Sequence, residues 1–186
     1  MSETRSLRAW KQDISPYENP LVAPTTVKTH RRKTRAAVSE RSLVDPETGA
    51  VEAVSMIHTV EERDNEQFVK VFADGVKAAF GLTKTAGRVF QAVLDAYQKE
   101  AMTGGYADSV SLYWFGEGLN GESIGMSEKT FNRGLKELLE KSFLHPKVPN
   151  VYWVNPALFF KGDRVAFVRE YRRAQTSRRQ QLDGGG

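Results

Sequence analysis

The residues of this chain best suited to chemistry are cations and amides that recur on one face of a single predicted helix. At about 100° per residue, Lys129, Arg133 and Lys136 point away from the apolar stripe of that helix, and Thr130 and Asn132 lie on its flanks. Lys and Arg can bond the edge of guanine, and Asn can bond the edge of adenine. This face therefore predicts contacts to bases in the major groove of duplex DNA.

The helix that positions these side chains has a clear start in the sequence. Ser127 is a good N-cap, and the charge of Glu128 suits the positive end of a helix. Four apolar residues then recur at the spacing of one buried face: Phe131, Leu135, Leu138 and Leu139. An ordinary amphipathic helix packed on a small sheet would show the same stripe, so that alternative stays open.

Two β-prone runs follow the helix directly. Residues 143–145 and 151–154 flank a Pro-rich turn and predict a hairpin, or wing, in which Lys147 and Asn150 are candidate DNA contacts. A helix with a basic outer face followed at once by a hairpin is the order of a winged helix-turn-helix.

Length and composition narrow the class of protein. The 186 residues are 40% hydrophobic, which suits one domain with extensions. There is no cysteine, and the three histidines are scattered at positions 30, 58 and 145, so we expect no metal site and no cofactor. No signal peptide and no apolar run of about 18 residues can be read, so the expected compartment is the cytoplasm.

Positive charge is concentrated at two places along the chain. Residues 28–41 carry six Lys and Arg against one Glu, and residues 161–186 carry seven against three acids. This distribution favours a polyanion reached by basic arms. A solvated charge run is the open alternative for the first arm, whose candidate phosphate contacts are Arg31, Arg32, Lys33 and Arg35.

The predicted fold class is α+β with three parts. Residues 1–50 are expected to be a flexible basic N-terminal tail, because four prolines interrupt every candidate helix. Residues 51–179 form the winged helix-turn-helix domain, and residues 180–186 are expected to be a disordered C-terminus.

The domain is predicted to begin with a β-hairpin. Its strands are residues 51–61 and 67–72, which alternate around a polar turn. A short helical turn over residues 75–80 follows. Thr83 then caps the scaffold helix, whose apolar stripe is Ala86, Val89, Phe90, Val93, Leu94 and Tyr97.

Between the scaffold helix and the recognition helix, two short elements are predicted. Residues 108–112 give a small strand that pairs with the wing, and residues 113–119 give the short second helix. The glycines of the second segment are unfavourable in a helix.

The C-terminal part of the domain is predicted to be a turn followed by a basic helix. Phe159 and Phe160 should be buried, Gly162 should allow a sharp backbone change, and Asp163 should begin the helix. The helix runs over residues 165–179. Two of its outward cations, Arg172 and Arg173, are candidate contacts to DNA or a partner.

A group of these motifs resembles the RepL-type plasmid replication initiator proteins. The likeness covers roughly residues 56–173; it includes Ser127-Glu-Lys-Thr-Phe131 and Tyr152-Trp-Val-Asn-Pro156 followed by Phe159-Phe-Lys-Gly-Asp-Arg164, and its most specific part is residues 155–164. The resemblance implies a winged-helix protein that binds the replication origin of its plasmid and helps recruit host replication proteins. The basic tail and the segment 120–125 depart from the family pattern.

The chain is expected not to be an enzyme. It has no His-x-His pair for a DNA-nicking metal site and no phosphate-binding Gly-x-x-x-x-Gly-Lys-[Ser/Thr] loop. The expected partners are double-stranded DNA and host replication proteins, and a second copy of the chain is a further candidate. A winged-helix transcriptional repressor and a protein–protein interaction module remain alternatives.

Overall fold

The computed structural model describes residues 5–22, 35–44, 51–60 and 68–183. They form a mixed α+β structure of two compact units, a β-hairpin within Thr29–Asp64 and a larger unit from the rest of the chain. The predicted α+β class is confirmed.

Hydroxyl caps define the starts of three helices. The described residues contain α1 (Leu7–Gln12), α2 (Ala73–Phe80), α3 (Lys84–Lys99), α4 (Glu128–Glu140) and α5 (Arg164–Asp183). Ser6, Thr83 and Ser127 each accept a backbone N–H three residues ahead at 3.2–3.3 Å. The starts predicted at Thr83 and Ser127 are confirmed.

The strands of the described residues are short except for the first two. They are β1 (Arg35–Val44), β2 (Val51–Val60), β3 (Val69–Val71), β4 (Tyr106–Ala107), β5 (Ser109–Ser111), β6 (Trp114–Phe115), β7 (Gly118–Leu119), β8 (Leu144–Val148), β9 (Val151–Val154) and β10 (Phe159–Gly162). They form four antiparallel sheets, with strand orders β1-β2, β3-β10-β4, β5-β9-β8 and β6-β7. The predicted pairing of the 108–112 strand with the wing is confirmed by β5 and β9.

The core of the larger unit lies where α3 crosses α4. Val89 and Val93 of α3 and Leu138 of α4 are fully buried, and α3 also contacts β3 and β5. Gly134 permits the close crossing, because a Cβ built there would lie 2.5 Å from Val89 Cγ2. The predicted apolar stripe of α3 is buried except for Leu94, which is half-buried.

The predicted hairpin between residues 51–61 and 67–72 is wrong. Strand β2 pairs instead with β1 over ten residues, and β3 pairs with β10. The pairing with β10 places Val71 opposite Phe159, whose ring is fully buried. Alternation within the 67–72 segment marks a strand but could not reveal which distant strand pairs with it.

The predicted second helix over residues 113–119 is also wrong. The segment is a ribbon of β6 and β7 that turns at Gly116, which has a left-handed φ of 57°. A Cβ at Gly118 would lie 2.2 Å from the carbonyl oxygen of Glu122. The glycines therefore serve a tight turn and a close backbone approach rather than a helix.

The prediction of a flexible tail over residues 1–50 fails in two places. Residues 35–44 are strand β1, and residues 5–22 belong to the larger unit, where Leu7, Trp10 and Val22 pack on its core. Asn19 is only 1% exposed, and its Nδ2 donates to the carbonyl oxygen of Val154 at 3.0 Å. Trp153 Nε1 donates to the carbonyl oxygen of Ser15 at 2.6 Å. These buried contacts offset the entropy lost when the segment is ordered.

The C-terminal segment confirms three predictions and corrects two. Phe159 and Phe160 are buried, Gly162 has a φ of 85°, and Asp163 Oδ1 accepts the N–H groups of two residues in the first turn of α5. However, the aromatic pair lies in strand β10 rather than a turn, because β3 and β4 pair on both sides of it. Helix α5 continues to Asp183, so the predicted disorder over residues 180–186 is wrong as far as that residue.

Candidate nucleic-acid interface

Two cationic side chains are exposed on the outer face of α4. Lys129 and Arg133 lie one helical turn apart and are exposed. Within the described part of the chain, neither makes a hydrogen bond or an ion pair. The opposite face of the helix is buried through Phe131 and Leu135. The two charges are therefore presented on a helix whose rotation is fixed by its core face.

The other three predicted residues of α4 are already engaged. The hydroxyl oxygen of Thr130 lies 3.0 Å from Ser127 Oγ, within the N-cap. Asn132 Oδ1 accepts a hydrogen bond from Lys11 Nζ at 3.3 Å. Lys136 is half-buried and pairs with Glu140 at 3.5 Å. A ligand at this face would first meet Lys129 and Arg133.

Helix α1 brings further cations beside α4, and the sequence reasoning missed them. The two helices are in contact, with Lys11 Nζ bonded to Asn132, and Arg8 of α1 is exposed. Leu7 and Trp10 dock the helix on the core. The signal was present in the sequence, since the Ser6 cap precedes apolar residues three positions apart.

In the hairpin after α4, the two candidate DNA contacts already interact with neighbouring residues of the chain. Asn150 has a left-handed φ of 63° in its turn, and its carbonyl oxygen accepts from Leu112 N at 2.8 Å. Lys147 Nζ lies 3.3 Å from Asp108 Oδ1 and 3.8 Å from the centre of the Trp153 ring. Both predicted wing residues thus have structural contacts, and the charge of Lys147 is partly neutralised.

The remaining candidates belong to other segments of the chain. Arg31, Arg32 and Lys33 fall outside the described residues. Arg35 begins β1, and the description covers only its backbone.

Arg172 and Arg173 are exposed on α5, which contacts β4 and is bonded through Tyr171 Oη to the carbonyl oxygen of Asn19 at 3.0 Å. The contacts that fix α5 are thus different from those that fix α4.

The orientation of α4 relative to α3 is fixed by a carboxylate. Glu137 accepts from Thr83 N at 2.9 Å and from Thr83 Oγ1 at 2.6 Å, and it pairs with Lys141 at 2.9 Å. Burial alone would raise the pKa of Glu137, but these hydrogen bonds and the lysine outweigh it and lower the pKa. The ionised carboxylate therefore joins the start of α3 to the second half of α4.

His145 adds little positive charge to this region near neutral pH. Burial lowers the pKa of its imidazole; Asp13 raises it by a smaller amount, and Arg5 lowers it by a still smaller one.

A half-open groove of about 450 Å³ lies between α3 and residues 119–126. The ion pair on its rim joins Lys99 and Glu122, and both side chains are more than half exposed.

In the residues that the structure describes, no three His, Cys, Asp or Glu side chains cluster as a metal site would require. Nor is any helix in that part of the chain both long and apolar enough to cross a bilayer. The absence of enzymatic activity stays a prediction.

The chain is similar to a protein of Zymomonas mobilis subsp. mobilis whose name, "20.9 kDa protein", states only a mass. The two are 29% identical over 178 residues, which cover 91% of this chain and 95% of the relative. No family model matches the chain, and no solved structure matches it. The resemblance to RepL-type initiators and the DNA-binding function therefore remain predictions.

Proposed function

We propose that this protein binds double-stranded DNA in a sequence-specific manner through α4 and initiates plasmid replication from the site it binds. The observation that carries the proposal is a pair of exposed cationic side chains in the first half of a capped helix, Lys129 and Arg133. In helix-turn-helix proteins the first residues of the recognition helix contact base edges. Arg133 is the residue most suited to bidentate bonding to guanine.

The order of elements supports a winged-helix interpretation. Helix α3, strand β5, helix α4 and the hairpin β8–β9 follow one another, with the sheet order β5-β9-β8. In this interpretation α3 is the scaffold helix, α4 the recognition helix and β8–β9 the wing. The β6–β7 ribbon occupies the place of the second helix.

The dimensions and the neighbouring charges fit the same interpretation. The 13 residues of α4 span about 20 Å, and the major groove is about 12 Å wide, so one face of the helix can enter it. Arg8 and Lys11 of the adjacent α1 would then face the phosphates at the groove edge, where cations position the protein without reading sequence.

The choice of initiator over repressor rests on the resemblance of residues 155–164 to RepL-type initiators. In the structure this segment comprises β10 and the start of α5. The exposed Arg172 and Arg173 that follow are the proposed contacts to host replication proteins.

The test is binding of purified variants to fragments of the protein's own replicon, at two salt concentrations, with unrelated DNA for comparison. Arg133→Ala should weaken specific binding by roughly 1–3 kcal/mol and leave non-specific binding nearly unchanged. Lys77→Ala, which removes an exposed cation of α2, is the matched control and should have little effect. Equal losses on both DNAs would assign Arg133 to phosphate, and no loss on either would exclude α4 as the interface.

A further inference from the structure

The β1–β2 hairpin is a ribbon whose two edges pair with none of the other strands that the structure describes. Its strands match over ten residue pairs, from Arg35 opposite Val60 to Val44 opposite Val51. Among the strands that the structure describes, no third strand joins it. A two-stranded ribbon is at best marginally stable alone in water, so a ribbon this long needs a partner surface or strand.

Neither face of the ribbon is uniformly polar. Alternate residues of a strand lie on opposite faces, so the register assigns Val38 with Ile57 to one face and Leu43, Val54 and Met56 to the other. An ordinary solvent-facing sheet has one apolar and one polar face. Both faces here carry apolar positions, which favours a larger sheet over an isolated hairpin.

The two edges differ in how well they are protected against pairing. Strand β1 carries Arg35, Glu40 and Arg41, whereas β2 carries a single formal charge, Glu52, and no Lys, Arg or Pro. Charged residues, especially lysine, and prolines are the usual devices that prevent edge-to-edge pairing. The β2 edge has almost none of them.

The sequence of β2 is complementary to itself in one antiparallel register. A two-fold axis perpendicular to a sheet leaves each face of the strand on its own side, so a residue can lie opposite only residues of its own face in the second copy. Because successive residues alternate between the faces, only every second register is allowed. With the axis at Ser55, Val54 lies opposite Met56 of a second copy and Glu52 lies opposite His58. Symmetry repeats both pairs.

The neighbouring allowed registers lose this complementarity. They place Glu52 opposite Met56 in one direction and opposite Val60 in the other. Apolar pairs across strands are stabilising, and an imidazole opposite a carboxylate can donate a hydrogen bond to it, whereas an apolar residue opposite a carboxylate can do neither. The axis at Ser55 is therefore the favoured one.

We infer that β2 is a self-association edge, which pairs with β2 of a second copy about Ser55 to form a four-stranded sheet in the order β1-β2-β2-β1. The partner is another molecule of the same chain, joined by backbone hydrogen bonds. The residues of this edge are not among the proposed DNA contacts of α4, and the inference goes beyond the proposed function.

A cysteine at the axis tests the geometry directly. The full chain has no cysteine, so Ser55→Cys introduces a single thiol. Opposite residues of antiparallel strands have Cα atoms about 4.5–5.5 Å apart, which a disulfide can bridge. Mild oxidation should yield a covalent dimer of Ser55→Cys but not of the control Ser42→Cys, which lies in β1. Equal cross-linking of both variants, or none of Ser55→Cys, would overturn the inference.

Charge reversal supplies a second test in the chain without cysteine. Sedimentation of the full-length protein over a range of concentrations should show a dimer that Glu52→Lys weakens about two- to thirtyfold, because two cross-strand pairs are lost. His58→Glu should weaken it similarly, and the double variant should recover most of the affinity. A wild-type monomer at all concentrations, or a double variant no better than the single ones, would refute the pairing. Loss of DNA binding by Arg133→Ala is measured independently of either result.

Discussion

Gly134 lies where α4 crosses α3, and its replacement by alanine tests how closely the two helices approach. A Cβ at this position would lie 2.5 Å from Val89 Cγ2, 2.9 Å from Val89 Cβ and 3.3 Å from Ala86 Cα. Val89 is fully buried, and its β-branched side chain has one strongly preferred rotamer in a helix. The added methyl group can be accommodated only if the helices separate.

Two opposing effects set the size of the change. Alanine is favoured over glycine in a helix interior by about 1 kcal/mol. Overpacking of a tight core costs typically about 1–3 kcal/mol, occasionally more, and a 2.5 Å contact is at the severe end. We expect Gly134→Ala to lower the free energy of unfolding by about 1–2 kcal/mol. That corresponds to a fall of about 2–8 °C in Tm for a chain of this size.

Gly87 of α3 is the matched control. No atom lies within 4 Å of a Cβ built there, so Gly87→Ala keeps the propensity gain without the clash. It should raise the free energy of unfolding by about 0.5–1 kcal/mol. Urea denaturation and thermal unfolding of both variants give the comparison.

A size exchange separates the clash from other causes. Val89→Ala combined with Gly134→Ala should be more stable than the sum of the two single effects predicts, since Val89→Ala removes the Cγ2 atom that the methyl group added by Gly134→Ala would meet. If Gly134→Ala stabilises the protein as much as Gly87→Ala does, the close crossing of α3 and α4 is refuted.

Three further predictions concern other parts of the larger unit. Phe159→Ala should lower the free energy of unfolding by about 3–5 kcal/mol in urea denaturation, since the ring is fully buried, and a loss below about 1 kcal/mol would contradict that burial. Arg172→Ala with Arg173→Ala should leave Tm nearly unchanged, because both side chains are exposed; a large fall would mean that this face of α5 is packed. Glu137→Gln should destabilise the protein most at neutral pH, with the difference shrinking in acid: the lowered pKa of Glu137 contributes stability above its unfolded pKa, and this is lost as the pH falls through the folded one. A difference in unfolding free energy that stays constant with pH would show that the charge of Glu137 is not involved.

Helices α3 and α4 could be predicted because their signals are local. Thr83 and Ser127 cap the helices within one turn, and the apolar stripes follow at the helical period. Neither signal depends on which distant segment covers the buried face. The predicted and observed starts therefore agree.

Strand partners could not be predicted in the same way. Strand β3 has three residues, and it pairs with β10, which lies about 90 positions later in the chain. Alternation marks a segment as a strand but does not identify its partner. The prediction of a helix over residues 113–119 failed for another reason. The apolar residues of Trp114–Leu119 fit a helical turn as well as a hairpin, and the close backbone approach at Gly118 is what distinguishes the two structures.

The sequence indicated which side chains lie on the outer face of α4, but not which of them already have partners within the chain. The outward position of Lys129 and Arg133 follows from helical periodicity alone. Asn132 was predicted on the same surface, yet its side-chain oxygen is bonded to Lys11, which is 121 positions away in the chain. Periodicity gives the direction of a side chain, whereas its partners come from segments that only the tertiary fold brings near.

The segment of residues 15–19 explains why cations from the start of the chain stand beside α4. Of the strands that the structure describes, only β9 pairs with β8, and on the other edge of β8 Ser15 N donates to the carbonyl oxygen of Pro146 at 3.0 Å. Asn19 and the indole N–H of Trp153 add bonds to the same hairpin, so the segment protects an edge that would otherwise be open. Because α1 directly precedes this anchored segment, Arg8 and Lys11 are held near α4 by the same contacts that complete the sheet. In the proposed complex, the phosphate contacts of α1 would therefore depend on the attachment of residues 15–19 to the β8–β9 hairpin. Deletion of α1 together with residues 15–19 would remove the charges of Arg8 and Lys11 and would also expose the backbone of the β8 edge.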